Sequence, residues 1–410
     1  FGNAYTQGKE TLFYDLEEMR PYLLEAFAYS KRPDVHIWLN RFPPQHLEGY
    51  EHLIQDPYKL NDEVRGRKEE YGLLLEEGEP LDCRSPHRCK FCYMEPLCDT
   101  LDEVRDTVKQ RAFDVVRVDT TFEALMPEVY GGDPASRQRS ESRKSQEEQE
   151  AAASQQEARQ SRVRLPLFSS GDKPTYVPPA ELAKQAGAQT LWVLAGTVAD
   201  AIDTAASYPM LAEIDLELAS LAGLQEAMSP GEHPEEAMLA GKRVARVRAQ
   251  TVDGAKELLA DPYNYEVMVL LSKQTAPWLL SLDSVSPRLA ILLPTYERLT
   301  DSQRHDVDAK DFFEKFAHAQ VPVEGVPNCV LGREGRARPT MLDTSMMLPN
   351  GHLEIFHYAR RYIVDRFWTK SLRCKTCVYN ENCRGSHINY VRAHGYGQMQ
   401  PVLPESVQVG

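Results

Sequence analysis

"TLWVLAGTVADAIDTAAS", residues 190–207, opens with six residues suited to a buried strand and continues into a stretch with helical apolar spacing. A strand running straight into a helix is one βα unit, and the chain repeats that pattern. Further strand candidates are "EIDLEL" (213–218), "RVARVR" (243–248), "YEVMVLLS" (265–272), "RLAILLP" (288–294) and "VPVEGV" (321–326). The spacing of their starts leaves room for a helix between neighbours, as in "DAKDFFEKFAHAQ" (308–320). Strands joined this way lie parallel, and right-handed crossovers curl the sheet. The expected fold class is therefore α/β, with a partial (β/α)6 TIM-like barrel in the C-terminal half and two irregular cysteine-rich modules. A doubly wound sheet is the alternative.

Upstream, "EEMRPYLLEAFAYSKRP" (17–33) has the pattern of an amphipathic helix, and "DVHIWLNRFPP" (34–44) reads as the last strand of a barrel. Asn40 and Arg41 then fall where a barrel mouth would be, the side on which barrels contact substrate. A structural turn is the plainer reading of the same residues. Residues 134–164 are low in complexity and nearly free of large apolar side chains, so they cannot build a core and read as a linker. This divides the chain into a barrel tail with a cysteine module (1–130), a linker (131–165), a partial barrel (166–328) and a second cysteine module (329–410).

With 410 residues, 42% of them hydrophobic, the chain can bury full cores without disulfides. No apolar run approaches the roughly 20 residues of a membrane span, and there is no signal peptide pattern. The net charge of −14 argues against nucleic acid or an anionic membrane as a general partner. The expected compartment is a reducing cytoplasm, where clustered cysteines point to metal or catalysis. The first residues, "FGNAYTQ", lack a methionine, and the chain is read as a piece of something longer.

Half of the eight cysteines stand in "CRSPHRCKFCYMEPLC" (83–98). The others are Cys329, Cys374, Cys377 and Cys383, the last three in "RCKTCVYNENC". Both loops read R-C-K-x-C-x5-C, and the offset between them is constant, because 374−89, 377−92 and 383−98 are equal. The same shift sets 323–332 beside 38–47, so the pattern reads as an internal repeat at module scale. Each module owns four thiols: Cys83, Cys89, Cys92 and Cys98 in the first, Cys329, Cys374, Cys377 and Cys383 in the second. Four thiolates hold one zinc ion or one iron–sulfur cluster. Structural zinc usually takes two close C-x2-4-C knuckles, whereas each module here has one, with two further sulfurs on longer arms. That favours a cluster; zinc and redox thiols remain the alternatives.

With "PNCVLG" (327–332), "LPNGHLEIF" (348–356) and "CKTCVYNENCRGSH" (374–387) in view, the sequence resembles the radical S-adenosylmethionine superfamily. The likeness is to members with a C-terminal auxiliary-cluster domain of the SPASM or twitch type. It implies that Cys329, Cys374, Cys377 and Cys383 hold an auxiliary cluster, with a hairpin turning at Gly351 between Cys329 and Cys374. It implies two 4Fe-4S clusters in all. The family's catalytic C-x3-C-x2-C is absent, so the C-terminal barrel is expected to be a degenerate copy. S-adenosylmethionine would then be a cofactor only of a longer form with an upstream barrel. That form would modify a peptide or small molecule; the chain alone is expected to be inactive. The competing expectation is a non-catalytic electron-relay or scaffold subunit that binds a peptide or protein partner. The sequence is silent on oligomeric state.

Among other candidates, Arg384, His387, Arg392 and His394 follow the last cysteine, and cations there would steady an anionic cluster. Arg384 and His387 are the nearest. An ordinary polar helix is the alternative for this stretch. His352, Glu354 and His357 read as parts of a solvated hairpin.

Overall fold

Alternation decides how each strand sits. In β2 (Thr190–Ala195), Leu191, Val193 and Ala195 are buried against the helical layer, while Trp192 and Leu194 face the other way. The computed structural model describes residues 8, 15–85, 89, 92–122 and 176–404. Within them, eight parallel strands form one curled sheet. They are β1 (Val115–Asp119), β2, β3 (Glu213–Leu218), β4 (Lys242–Ala249), β5 (Glu266–Leu270), β6 (Leu289–Leu292), β7 (Val323–Glu324) and β8 (Met341–Asp343). Their order in space is β8-β1-β2-β3-β4-β5-β6-β7. That is the cyclic order of an eight-stranded barrel, left open between β7 and β8. A short antiparallel pair, Ser229–Pro230 with Ala237–Leu239, leads into β4.

The six expected strands are present as β2 to β7. Two more were not anticipated. β8 is only three residues long. β1 lies before the linker, in the part assigned to an earlier barrel's tail, yet it pairs with β2 from Val115↔Thr190 to Asp119↔Leu194 and with β8 at Val115↔Met341. The sheet therefore has eight parallel strands rather than six, and it draws on both sides of residues 131–165. The linker expectation itself falls on 134–164, outside the described residues.

Two local expectations are corrected. Residues 34–44 form no strand. Pro43 and Pro44 supply no amide to a ladder, Arg41 takes a left-handed turn at φ 58, and Trp38 is 75% exposed rather than packed on a sheet. The hairpin around Gly351 shrinks to a single antiparallel bridge, Met347↔Leu353. Glu354 then caps a helix, Ile355–Arg361, by accepting from the amides of Phe356 (2.9 Å) and His357 (2.8 Å). Glu354 and His357 therefore belong to the start of a helix rather than to a solvated hairpin.

The outer layer follows from sequence. Thr197 and Thr251 end the loops after β2 and β4 and cap the helices Val198–Ala206 and Val252–Ala260. Thr197 forms a full capping box with Asp200. These helices cover Leu191, Val193, Ile214, Leu216 and Val247, all fully buried. Each such side chain contributes about 1.5–3 kcal/mol. The inner faces are different: they carry Arg117, Asp119, Asp215, Glu217, Arg246 and Arg248, around a lumen of about 610 Å3. No helix among the described residues is long and apolar enough to cross a membrane.

Candidate functional site

The two cysteine loops share a backbone. The amide of Cys92 donates to the Cys89 carbonyl (2.7 Å), that of Glu95 to Cys92 (3.1 Å) and that of Cys98 to Met94 (3.0 Å). In the second loop the amide of Cys377 donates to Cys374 (3.1 Å), Asn380 to Cys377 (3.0 Å) and Cys383 to Tyr379 (2.8 Å). These three bonds of the first loop have counterparts at the equivalent positions of the second, whereas the amide of Cys89 donates to Ser85 (2.9 Å), four residues back, and that of Cys374 to Ser371 (3.0 Å), three back. The repeat is thus a repeat of turns as well as of letters. It stops at the last cysteine. Cys98 lies in the helix Glu95–Gln110, whereas the chain after Cys383 turns at Gly385 into a two-residue strand, Ser386–His387, paired with Trp368–Thr369. It also does not extend upstream, because 38–47 lacks the strand found at 323–324.

In the second loop, Cys329, Cys374, Cys377 and Cys383 line one small pocket with Lys370 and Tyr379. Cys329 arrives from the segment between β7 and β8, where the sheet is open. The amides of Gly385 and Val402 donate to the sulfurs of Cys383 and Cys377, each at 3.4 Å. In the first loop, Cys83 lies near enough to act on both Cys92 and Cys98, and Cys89 on Cys92. Here side chains join a backbone donor, the amide of Met94 at Cys92. Arg67 Nη2 reaches Cys83 Sγ at 3.0 Å, Arg84 Nη1 reaches Cys89 Sγ at 3.7 Å, and the Tyr71 hydroxyl lies 3.4 Å from Cys98 Sγ. All eight cysteines are free thiols.

Burial weakens four of them as acids. It pushes the thiols of Cys98 and Cys329 up to about 11 and raises those of Cys92 and Cys374. Thiols gathered in such pockets stay protonated until a cation offsets the charge, and metal binding then releases their protons. Among the described residues, no three His, Cys, Asp or Glu side chains are already set to hold a metal ion. The thiols are gathered without closing on one point. The donor set, four soft sulfurs with N–H donors around them, fits a thiolate-ligated group.

The loops also meet each other. Cys92 and Cys374 line one cleft of about 710 Å3, with His46, Tyr93 and Trp368 in its walls. Arg41 lines this cleft rather than the barrel lumen, so it does not stand at a barrel mouth. Asn40 Oδ1 accepts from Gln55 Nε2 at 3.3 Å, and Arg41 pairs with Glu63.

Of the residues after Cys383, Arg384 is exposed and lines the lumen. His387 is 2% exposed, and its Nε2 lies 3.0 Å from the Ile363 carbonyl. Burial lowers its pKa to about 4, so it is a neutral core side chain rather than a cation. His394 stacks on Tyr390 at 4.6 Å, and Arg392 donates to Asn389 Oδ1 at 2.8 Å. His352 stacks on Tyr176 at 4.8 Å.

Sequence reasoning missed Arg67, Tyr71 and the lumen. Arg84 stands inside the first cysteine stretch and could have been noted there. Nothing local marks Arg67, which lies well upstream of Cys83 in the chain. The lumen had a signal: parallel strands covered on both faces read as continuous apolar runs, while "EIDLEL" places a charge on alternate residues and "RVARVR" places charges at 243, 246 and 248. Comparison with protein-family models, with curated proteins and with solved structures gives no match for this chain.

Proposed function

We propose that this chain is an iron–sulfur protein of the radical S-adenosylmethionine type, holding two 4Fe-4S clusters. One would sit on Cys83, Cys89, Cys92 and Cys98, the other on Cys329, Cys374, Cys377 and Cys383. The observation that carries this reading is the set of three backbone hydrogen bonds that recurs at equivalent positions in the two cysteine loops. Two loops of the same turn geometry, each with four thiols, call for two copies of the same group. The family assignment rests on the likeness of residues 327–332, 348–356 and 374–387. Modification of a peptide or small molecule by radical chemistry is the activity that likeness implies, with the S-adenosylmethionine-cleaving centre outside these residues.

Clusters of this kind carry single electrons, at potentials set by hydrogen bonds to sulfur and by exposure. The chain's own residues would do the tuning: Arg67 and Arg84 at the first loop, the amides of Gly385 and Val402 at the second. The cleft shared by Cys92 and Cys374 favours a second reading, an electron-relay subunit whose two centres face a common opening. Protein purified without oxygen is expected to be brown, absorbing broadly near 400 nm, with about eight irons per chain. A colourless protein with about two zincs would refute both readings in favour of structural zinc.

A further inference from the structure

The lumen holds buried donors with nothing to donate to. Most of its guanidiniums are matched. Arg361 Nη2 donates to Asp119 at 2.7 Å, Arg117 pairs with Asp365, and Arg246 Nε donates to Glu266 at 2.7 Å. Glu324 is within 3.5 Å of both Arg246 and Arg336. Arg248 differs. It is 3% exposed, its Nε and Nη1 have no hydrogen-bond partner among the described residues, and the nearest carboxylate oxygen there, on Glu217, is 3.6 Å from Nε. The indole of Trp192, 4.0 Å from the Arg248 guanidinium, also has a buried Nε1 with no acceptor. Arg117 lies 4.5 Å from the same ring, and its Nε is unpartnered as well.

A buried donor left without an acceptor costs about 1–3 kcal/mol, more when it is charged. Proteins rarely leave one, and here four donor atoms on three adjacent side chains are left. All four lack the same thing, an acceptor. Water could fill the hydrogen bonds but would add nothing to the partial offset that Glu217, at 3.6 Å, gives the buried charge of Arg248. An oxyanion would do both. The position suits a ligand too. Arg248 and Glu217 stand next to last in β4 and β3, and Asp119 ends β1, so the group lies toward the C-terminal ends of the strands, where barrels bind ligands. The lumen's volume of about 610 Å3 falls within the range of small-molecule sites.

We propose that the half-barrel lumen binds a small organic anion, a carboxylate or phosphate, held by Arg248 and the Nε1 of Trp192. Arg338 extends the site from the segment between β7 and β8. It lines the lumen, and its one hydrogen bond is a 3.4 Å contact from Nη1 to the Asp365 carbonyl. Arg384, next to Cys383, lines the same lumen, so a bound anion would lie on the side of the second cysteine loop. The proposal does not depend on which metal group that loop holds.

The test is calorimetric titration of the whole chain with inorganic phosphate and, separately, with succinate. At least one should bind saturably at one per chain; a response to phosphate alone or succinate alone tells the two chemistries apart. Arg248→Met should weaken that binding at least tenfold. The same change should raise the melting temperature of the ligand-free protein, because two buried donors without acceptors are gone while Glu217, which is partly exposed, stays solvated. A merely structural arginine would give the opposite shift. Trp192→Phe, which keeps the ring and deletes the N–H, should weaken binding severalfold and covers the case in which Arg248→Met does not fold. Arg243→Gln, on the same strand but paired with Glu213, should bind as the parent does. Absence of binding by both probes, or unchanged affinity in Arg248→Met, would overturn the proposal.

Discussion

Arg361 Nη2 donates to Asp119 Oδ2 at 2.7 Å, joining two points far apart in the sequence. The pair ties the end of β1 to the helix Ile355–Arg361, and Arg361 is 1% exposed. Arg361 Nε also donates to Ser345 Oγ at 2.9 Å and lies 3.4 Å from Asp343. Burial alone would raise the Asp119 carboxyl, but Arg361 more than offsets it and holds the group below its ordinary range. The two halves of the chain are thus tied by a buried charge pair, and removing Arg361 strands Asp119.

Arg361→Met and Asp119→Asn should each cost about 3–5 kcal/mol, the usual range for breaking a buried pair. The double variant should lose less than the sum. Urea denaturation measures all three. Because the folded carboxyl is depressed, the pair's contribution is complete above the unfolded value near 3.8 and is lost as pH falls through the folded value. A loss below about 1 kcal/mol for both single variants would mean the pair does not tie the halves.

Asp306 is the opposite case. It follows the helix Leu299–His305, is 1% exposed, takes a hydrogen bond from Ser302 Oγ, and leaves Oδ1 without a partner. Burial raises its pKa from 3.8 to about 7. Between those values the unfolded chain releases a proton that the folded chain keeps, so stability falls as pH rises through the window and levels off above about 7. Asp306→Asn, which cannot ionise, should stabilise the protein by about 2–4 kcal/mol at pH 8 and change little at pH 4.5. Equal effects at both pH values would show that the asparagine acts through packing instead.

How much of this could be read from sequence depends on where the determining contact lies. The strands β2 to β7 were legible because each carries its own apolar alternation and is followed by a capped or amphipathic helix. β1 was not, because its partners, Thr190–Leu194 and Met341–Asp343, lie on the far side of a long insertion. The segment 34–44 misled because "VHIWL" has strand composition while Pro43, Pro44 and the turn at Arg41 prevent pairing. The cysteine turns were legible because their bonds are local, each closing within one turn of chain. Arg67 and Trp192 act through contacts that only the folded chain creates.

Gly385 tests the second cysteine loop. Its φ is 83, and a Cβ there would meet the Thr369 carbonyl oxygen at 2.0 Å, closer than real Cβ contacts come. Its own amide donates to Cys383 Sγ. Gly385→Ala would have to push apart the pairing of Trp368–Thr369 with Ser386–His387, and should remove the metal of the second loop while leaving that of the first. Gly397→Ala, with nothing within 4 Å of the added carbon, serves as control. Full metal content in Gly385→Ala would show that the turn can relax without disturbing Cys383.

The partition of ligands follows from the two pockets. Cys329 lines the pocket of Cys374, Cys377 and Cys383, and Cys83 acts on Cys92 and Cys98. Cys83→Ala should therefore deplete only the first centre and Cys329→Ala only the second, each halving the iron per chain. The two depleted proteins should differ in their redox midpoints, because the guanidiniums of Arg67 and Arg84 donate to sulfur at the first loop in addition to a backbone amide, while the amides of Gly385 and Val402 donate at the second. Loss of both centres from either single substitution would mean that the loops share ligands.

The last prediction concerns turnover. A cluster held by four thiolates has no iron free to take the amino and carboxylate groups of S-adenosylmethionine, whereas a cluster held by three has one. The eight cysteines fall into two sets of four, and no C-x3-C-x2-C remains to form a third. Reconstituted, dithionite-reduced protein of residues 1–410 should therefore release no 5′-deoxyadenosine from S-adenosylmethionine. The measurement is chromatography of the quenched reaction against a standard. Release of 5′-deoxyadenosine by this chain would show that one set leaves an iron open. The first loop would then be the place to look, because Cys89, Cys92 and Cys98 share one run of turns while Cys83 stands apart, bonded to Arg67 at 3.0 Å. In that event Cys83→Ala would retain turnover and Cys92→Ala would abolish it.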